Sequence, residues 1–184
     1  MTPPGKTILY GDIQVPVFTR DWLRTPERLP YRKTYLLKPG QRWEDAPFTP
    51  TLWEHYVHLP NGAIPSGAAV AQELIAEGAV AAVWTECYGR GRLVLMSPGL
   101  VCIEQTGELC DILQQIRVAN GGRWAGLPDA VGLFPEGRIA MREAKVAGKD
   151  RLSPSQHAFA RAARQLFGSR IDFAVVEWGR GVAQ

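Results

Sequence analysis

The sequence predicts an α/β fold, because segments typical of helices alternate along the chain with short apolar runs typical of strands. The helical segments end at glycine or asparagine-glycine, and most strand-sized runs come in pairs joined by glycine-containing turns. The chain has 184 residues, of which 46% are apolar, and this is enough to bury one core. We therefore expect one compact domain with an N-terminal extension.

The extension covers residues 1–66, where proline is frequent and short apolar runs are interrupted by turns. This composition is typical of an extended arm or a small β-rich cap, and the segment carries no recognisable motif. A short helix is expected over residues 52–59, since the Thr51 hydroxyl can cap its start and Pro60 can end it.

The middle of the chain is predicted to contain two helices and one hairpin. Strong helix formers over residues 68–77 precede a glycine and predict the first helix. The runs 79–88 and 92–96 flank a Gly-Arg-Gly turn and predict a β-hairpin. Apolar residues at helical spacing over residues 108–119, followed by Asn-Gly-Gly, predict the second helix.

The C-terminal third is predicted to contain a second hairpin, a third helix and a last strand. Apolar runs at residues 129–134 and 138–146 are joined by a Pro-Glu-Gly turn, which indicates antiparallel strands. The helix should begin after Ser153, because a hydroxyl cap, a proline at the first helical position and a glutamine three after the cap occur together. Residues 170–178 predict the last strand, and residues 179–184 are left as a tail.

Positive charge is concentrated towards the C terminus. The whole chain has a net charge of +3, whereas residues 138–170 contain eight basic and two acidic side chains. A polyanion such as DNA is the partner that this segment suits. The side chains expected to contact its phosphates are Lys149, Arg151, His157, Arg161 and Arg164. A solvated face of an amphipathic helix, opposite Phe159, Ala163 and Leu166, is the alternative interpretation of the last three.

The second hairpin places charged side chains where they can bind a metal ion. Glu143 and Lys145 are two positions apart on a strand and therefore share one face of the sheet. Antiparallel pairing across the turn sets Asp129 opposite about position 143 or 144, so the two carboxylates meet. Such a pair suits Mg²⁺ or Mn²⁺, and Lys145 can assist a water molecule or neutralise charge on a phosphodiester. A surface salt bridge is the alternative interpretation.

Three segments in this order resemble the VRR-NUC branch of the PD-(D/E)XK nuclease superfamily, in particular the nuclease domain of the Fanconi-associated nuclease. They are Gly-Leu-Pro-Asp ending at Asp129, Arg-Glu-Ala-Lys ending at Lys145, and Gly-Lys-Asp-Arg-Leu-Ser-Pro-Ser-Gln ending at Gln156. By that resemblance Asp129 and Glu143 are metal ligands. Lys145 is then the catalytic lysine, and Gln156 supports the site from the first turn of its helix. Ala144 replaces the valine or leucine usual in the family, a small change in a spacer.

The resemblance covers roughly residues 105–178 and implies a restriction-endonuclease-like core, with a mixed sheet of four to five strands and helices on both faces. The nuclease domain would then span residues 67–178. Relatives also place a metal-binding glutamate on the first core helix, and Glu73 is the candidate here, with a plain surface carboxylate as the alternative interpretation. Glu77, Glu54 and Glu86 are further candidates for this position.

Several other classes of protein are not indicated. Three cysteines without a Cys-x-x-Cys pair predict neither a disulfide framework nor a zinc site, so buried thiols are expected. No apolar run reaches the ~20 residues of a membrane helix, and the start lacks an apolar signal core. We therefore expect a protein that is made in the cytoplasm and does not enter a membrane.

The function expected from these features is that of a Mg²⁺-dependent or Mn²⁺-dependent DNA nuclease. One role is that of an antibacterial toxin of the type VI-like effector class, secreted without a signal peptide and neutralised by an immunity protein. The short chain with its proline-rich arm favours this role over the second. The second role is a structure-specific repair or phage recombination nuclease that cuts flaps or Holliday junctions. A non-catalytic DNA-binding module is the alternative from another class, and a homodimer is left open beside a monomer.

Overall fold

A mixed β-sheet with helices on both faces forms the centre of the computed structural model. The structure describes residues 6–20, 27–33, 36–59, 62–85, 93–95, 101–103 and 107–179. Within these ranges the strands are β1 (Lys6–Tyr10), β2 (Ile13–Arg20), β3 (Glu27–Arg32), β4 (Phe48–Leu59), β5 (Gly62–Pro65), β6 (Ala81–Trp84), β7 (Leu93–Leu95), β8 (Val101–Ile103), β9 (Ala130–Leu133), β10 (Ile139–Val146) and β11 (Ile171–Trp178). The helices are α1 (Ser66–Ala76), α2 (Glu108–Ala119) and α3 (Pro154–Phe167).

Eight of these strands form one sheet in the order β1-β2-β11-β10-β9-β6-β7-β8, and β3, β4 and β5 form a second, antiparallel sheet. β11 is parallel to both of its neighbours, β10 and β2. The remaining pairs in the large sheet are antiparallel. Since β2, β10 and β11 run in one direction, their carboxyl ends meet at the same edge of the sheet.

Side chains from the large sheet enter two hydrophobic cores, one on each face. α1 packs on one face with Trp84 and Val176. α2 and α3 pack on the other face, where Met141 is buried. Because neighbouring residues on a strand point to opposite faces, Arg142 lies on the α1 face and Glu143 on the face of α2 and α3. This division determines which side chains can reach one another.

Three of the four predicted helices are confirmed, as is the antiparallel pairing of the strands in both predicted hairpins; the Gly-Arg-Gly turn of the first hairpin lies outside the described residues. α1 begins at Ser66, two residues before the expected start, and α2 and α3 occupy the predicted segments. β9 pairs antiparallel with β10, and β6 pairs antiparallel with β7. The last predicted strand is β11, which begins one residue later than expected. These segments carry complete local signals, so their structure depends little on the rest of the chain.

Two predictions about strands are wrong. Residues 52–59 are not a helix but belong to β4, because their aromatic and β-branched side chains suit pairing with β3 and β5. Among the described residues the central sheet contains eight strands rather than four to five, since β1 and β2 extend it beyond β11 while β7 and β8 extend it beyond β6. The described parts of residues 1–66 are therefore divided between the two sheets. A domain boundary at residue 66 stays a prediction.

The apolar face of α3 differs in part from the prediction. Phe159 and Ala163 are buried as expected, but Leu166 is 45% exposed. Ala160 and Ala162 are buried as well, because α3 is covered both by α2 and by the sheet. Among the described residues, no helix is long and apolar enough to cross a membrane.

Candidate active site

The β9–β10 hairpin brings two carboxylates together at its open end. Its last antiparallel pair is Ala130 with Arg142, so the next position sets Asp129 opposite Glu143, as predicted. The backbone N–H of Ala144 donates to Asp129 Oδ2 at 2.8 Å and continues the link between the strands. The two carboxylates therefore lie side by side on one face of the sheet.

Glu143 is held at the centre of a small group of polar side chains, and only 4% of its side chain is exposed. Lys145 Nζ lies 2.8 Å from Glu143 Oε1, and Gln156 Nε2 donates a hydrogen bond to the same oxygen. The second oxygen, Oε2, is buried and has no hydrogen-bond partner among the described residues. The structure thus brings Glu143, Lys145 and Gln156 together beside Asp129.

The first turn of α3 holds Gln156 in position. Its backbone N–H donates to Ser153 Oγ at 3.3 Å, and its Oε1 accepts a hydrogen bond from the Ser153 backbone N–H at 2.8 Å. This reciprocal cap occupies the amide oxygen and leaves Nε2 for Glu143. The residues that predict the start of the helix therefore also orient a side chain of the site.

The loop before Asp129 packs tightly against the start of α3. Gly126 has a φ of +89°, and a Cβ placed on it would lie 2.0 Å from the carbonyl oxygen of Ser155. Thr85 holds the same loop from the end of β6. Its hydroxyl donates to the Pro128 carbonyl, and its N–H donates to the Asp129 carbonyl at 3.0 Å. Position 126 needs glycine both for its backbone conformation and for the space.

Burial decides how readily the carboxylate pair loses its protons. Burial and then the negative charge of Asp129 raise the pKa of Glu143 to about 8, although Lys145 and Gln156 act in the opposite direction. Burial also raises the pKa of Asp129, while the Ala144 N–H and the Lys145 charge lower it in part. Two adjacent buried carboxylates repel each other unless a proton or a cation lies between them.

The oxygen atoms of this pair fit a hard divalent cation. Mg²⁺ and Mn²⁺ prefer carboxylate oxygens supplemented by water and phosphate oxygens. Glu143 Oε2 is a buried acceptor without a partner, and the Asp129 carboxylate stands beside it. Within the described ranges, no third histidine, cysteine or carboxylate completes a metal-binding group. A cation held here would therefore take water or substrate oxygens in its remaining positions.

Glu73, the predicted third ligand, is not brought to the carboxylate pair. Arg20 binds its carboxylate through two hydrogen bonds, each 2.8 Å long. One small cavity on the α1 face of the sheet is lined by Glu73, Arg142 and the further candidate Glu77. Glu143 lies on the opposite face of the sheet. The sequence shows that Glu73 is on a helix but not which face of the sheet that helix covers. The side chains of the remaining two candidates lie outside the described part of the chain, namely those of Glu54 and Glu86.

Most of the predicted phosphate-contacting side chains are open to solvent. Lys149, Arg151 and Arg161 are exposed, and Arg164 is half-buried. His157 differs, because its Nδ1 accepts a hydrogen bond from the Gly11 backbone N–H at 3.0 Å. This contact ties the turn between β1 and β2 to α3, so His157 has a structural role that the basic pattern of the helix does not reveal.

Tyr10 is a buried residue beside the first turn of α3 that the sequence motifs do not reveal. It ends β1 and is 0% exposed, with its ring 4.9 Å from that of Phe173. Burial raises the pKa of Tyr10 well above its ordinary value, and the negative charges of Glu143 and Asp129 raise it further. No local signal marks it, since its position depends on the pairing of β1 with β2 and of β2 with β11.

No family model, no curated protein and no solved structure matches this chain. The absence of a match neither supports nor opposes the resemblance of the motif segments to VRR-NUC nucleases. The geometry of the site and the chemistry of its side chains therefore carry the functional inference.

Proposed function

We propose that this protein is a metal-dependent nuclease that hydrolyses DNA phosphodiester bonds. The observation that carries the proposal is the adjacent Asp129–Glu143 pair, with Lys145 and Gln156 both bound to one oxygen of Glu143. The VRR-NUC resemblance assigns roles to the same four residues, and a restriction-endonuclease-like core is part of the proposal. Mg²⁺ or Mn²⁺ is the proposed cofactor.

Each side chain of the group has a distinct task in this chemistry. A bound divalent cation would supply a Lewis acid, which lowers the pKa of a water molecule and offsets charge on the phosphate. Asp129 and Glu143 would hold the cation. Gln156 donates to Glu143 Oε1, so Oε2, which has no hydrogen-bond partner among the described residues, would remain free to bind it. Lys145, with 15% of its side chain exposed, places a positive charge where it can orient water or stabilise negative charge on the phosphate.

The surface around the group favours DNA as the source of the phosphodiester. Lys149 and Arg151 lie in the loop between β10 and α3, and so between Lys145 and Gln156 in the sequence. Arg161 and Arg164 follow along α3. Exposed basic side chains neutralise phosphates whatever the base sequence, so binding should be weakly sequence-specific and should weaken as salt rises.

DNA cleavage with defined metal ions tests the proposal. Plasmid DNA is incubated with the wild-type protein, Asp129→Ala and Lys145→Ala in Mg²⁺, Mn²⁺ or EDTA, with Lys38→Ala as a control for an exposed lysine. We expect metal-dependent cleavage that falls on the order of 100-fold or more in both site variants and is unchanged in the control. Cleavage that survives both substitutions would contradict the proposal. A folded wild-type protein that binds DNA without cutting it would favour the non-catalytic module.

The biological role is tested separately, because two roles fit the same chemistry. An antibacterial toxin should kill a bacterial host and degrade its DNA when it is expressed without an immunity protein, whereas the Asp129→Ala variant should be tolerated. A repair or recombination nuclease should be tolerated in its active form and should cut flaps or four-way junctions in preference to linear duplex DNA.

A further inference from the structure

We propose that Tyr10 is a positioning residue of the candidate active site, whose hydroxyl donates a hydrogen bond to the Asp129–Glu143 pair or to water bound between these carboxylates. The hairpin of β1 and β2 is then part of the site, although it lies more than a hundred residues away in the sequence. This inference rests on the proposed function, since the carboxylate pair is taken to hold a divalent cation.

Tyr10 is fixed in place from two sides. Its ring packs against Phe173 of β11 at 4.9 Å and meets His157 of α3 edge-on at 6.2 Å. The next residue, Gly11, donates its backbone N–H to His157 Nδ1 at 3.0 Å. A Cβ on Gly11 would lie 3.2 Å from that of Ala160, so the turn lies close against α3. The Tyr10 ring is therefore held between β11 and the first turn of α3.

Two unpartnered atoms in this region have complementary chemistry. The Tyr10 hydroxyl and Glu143 Oε2 are both buried, and neither has a hydrogen-bond partner among the described residues. The phenol can donate a hydrogen bond and the carboxylate oxygen accepts one. Buried polar atoms left without partners are costly, so a pair of this kind calls for a contact or a shared water molecule. His157, whose ring meets that of Tyr10 edge-on, directly follows Gln156, which donates a hydrogen bond to Glu143. Tyr10 and Glu143 therefore lie in the same region beside the first turn of α3, and the negative charges of Glu143 and Asp129 add to the raised pKa of Tyr10.

A donor at this point would orient the carboxylates without displacing the groups already bound to them. Glu143 Oε1 is occupied by Lys145 and Gln156, and Asp129 Oδ2 is occupied by the Ala144 N–H. Groups that orient metal ligands in this way typically change metal affinity or activity by about 10- to 100-fold when they are removed. A group that only fills the core would change stability and leave metal affinity unaltered.

Titration of the protein with Mn²⁺ tests the proposal, with free Mn²⁺ followed by electron paramagnetic resonance. Wild type is compared with Tyr10→Phe and with Tyr56→Phe, a control for a buried tyrosine in the core on the α1 face. We expect Mn²⁺ affinity to fall about tenfold or more in Tyr10→Phe and to stay unchanged in Tyr56→Phe. Unfolding midpoints without metal should be alike in wild type and Tyr10→Phe.

The outcomes separate this inference from the proposed function. If wild type and Tyr10→Phe bind Mn²⁺ equally, the role of Tyr10 is wrong while the metal centre stands. If folded wild type binds no Mn²⁺, the proposed metal centre fails and the inference falls with it. If Tyr10→Phe does not fold, the hydroxyl is required for the fold, and its proposed role as a positioning group for the metal ligands is wrong.

Discussion

Replacing Glu143 by glutamine should stabilise the metal-free protein at alkaline pH. The pKa of Glu143 is raised from 4.5 to about 8, so the folded state holds this proton more tightly than the unfolded state. The resulting stability is fully present below pH 4.5 and is lost as the pH rises to about 8. Since a tenfold change in acid strength is worth about 1.4 kcal/mol, the loss at pH 8 is about 4 kcal/mol. Glutamine carries no charge and avoids this loss.

Urea unfolding in EDTA, followed by tryptophan fluorescence between pH 4 and pH 8, measures the effect. The free energy of unfolding of wild type should fall over this range relative to that of Glu143→Gln, while the exposed control Glu44→Gln should follow wild type. Mg²⁺ should restore stability to wild type at pH 8 and should have much less effect on Glu143→Gln, because binding stabilises the folded state only where the ligands are intact. Equal pH dependence in wild type and Glu143→Gln would refute the assignment of a buried, raised-pKa carboxyl.

Two further comparisons of variants test how the site is held. In urea unfolding, Gly126→Ala should destabilise the protein by about 1–3 kcal/mol more than Gly122→Ala. Both positions have positive φ, but only a Cβ at position 126 would collide with the backbone at the start of α3. Equal losses of stability would contradict this close approach. Gln156→Ala and Ser153→Ala should each cost about 1 kcal/mol by removing part of the helix cap. DNA cleavage should fall further in Gln156→Ala than in Ser153→Ala, because only Gln156→Ala also removes the contact with Glu143. Equal cleavage by the two variants would contradict a role for the Gln156 amide at the site.

Short-range signals in the sequence were sufficient to predict the elements that carry most of the site. Ser153, Pro154 and Gln156 predict where α3 begins, because capping involves only residues within one helical turn. The Pro-Glu-Gly turn and the alternation of side chains predict that Asp129 lies opposite Glu143. Contacts of this kind depend on a few neighbouring residues, so one sequence suffices to infer them.

The tertiary structure alone decided the features that depend on distant segments. The parallel pairing of β11 with β2 adds the β1–β2 hairpin to the main sheet and so places Tyr10 against Phe173 of β11 and His157 of α3. Pairing with β3 and β5 likewise makes residues 52–59 a strand, although Thr51 and Pro60 could bound a helix. The face on which α1 packs directs Glu73 to Arg20 instead of to Glu143. Strand order and helix placement follow from how apolar faces of remote segments are buried together, and local patterns of charge and hydrophobicity do not specify which partner each face will meet.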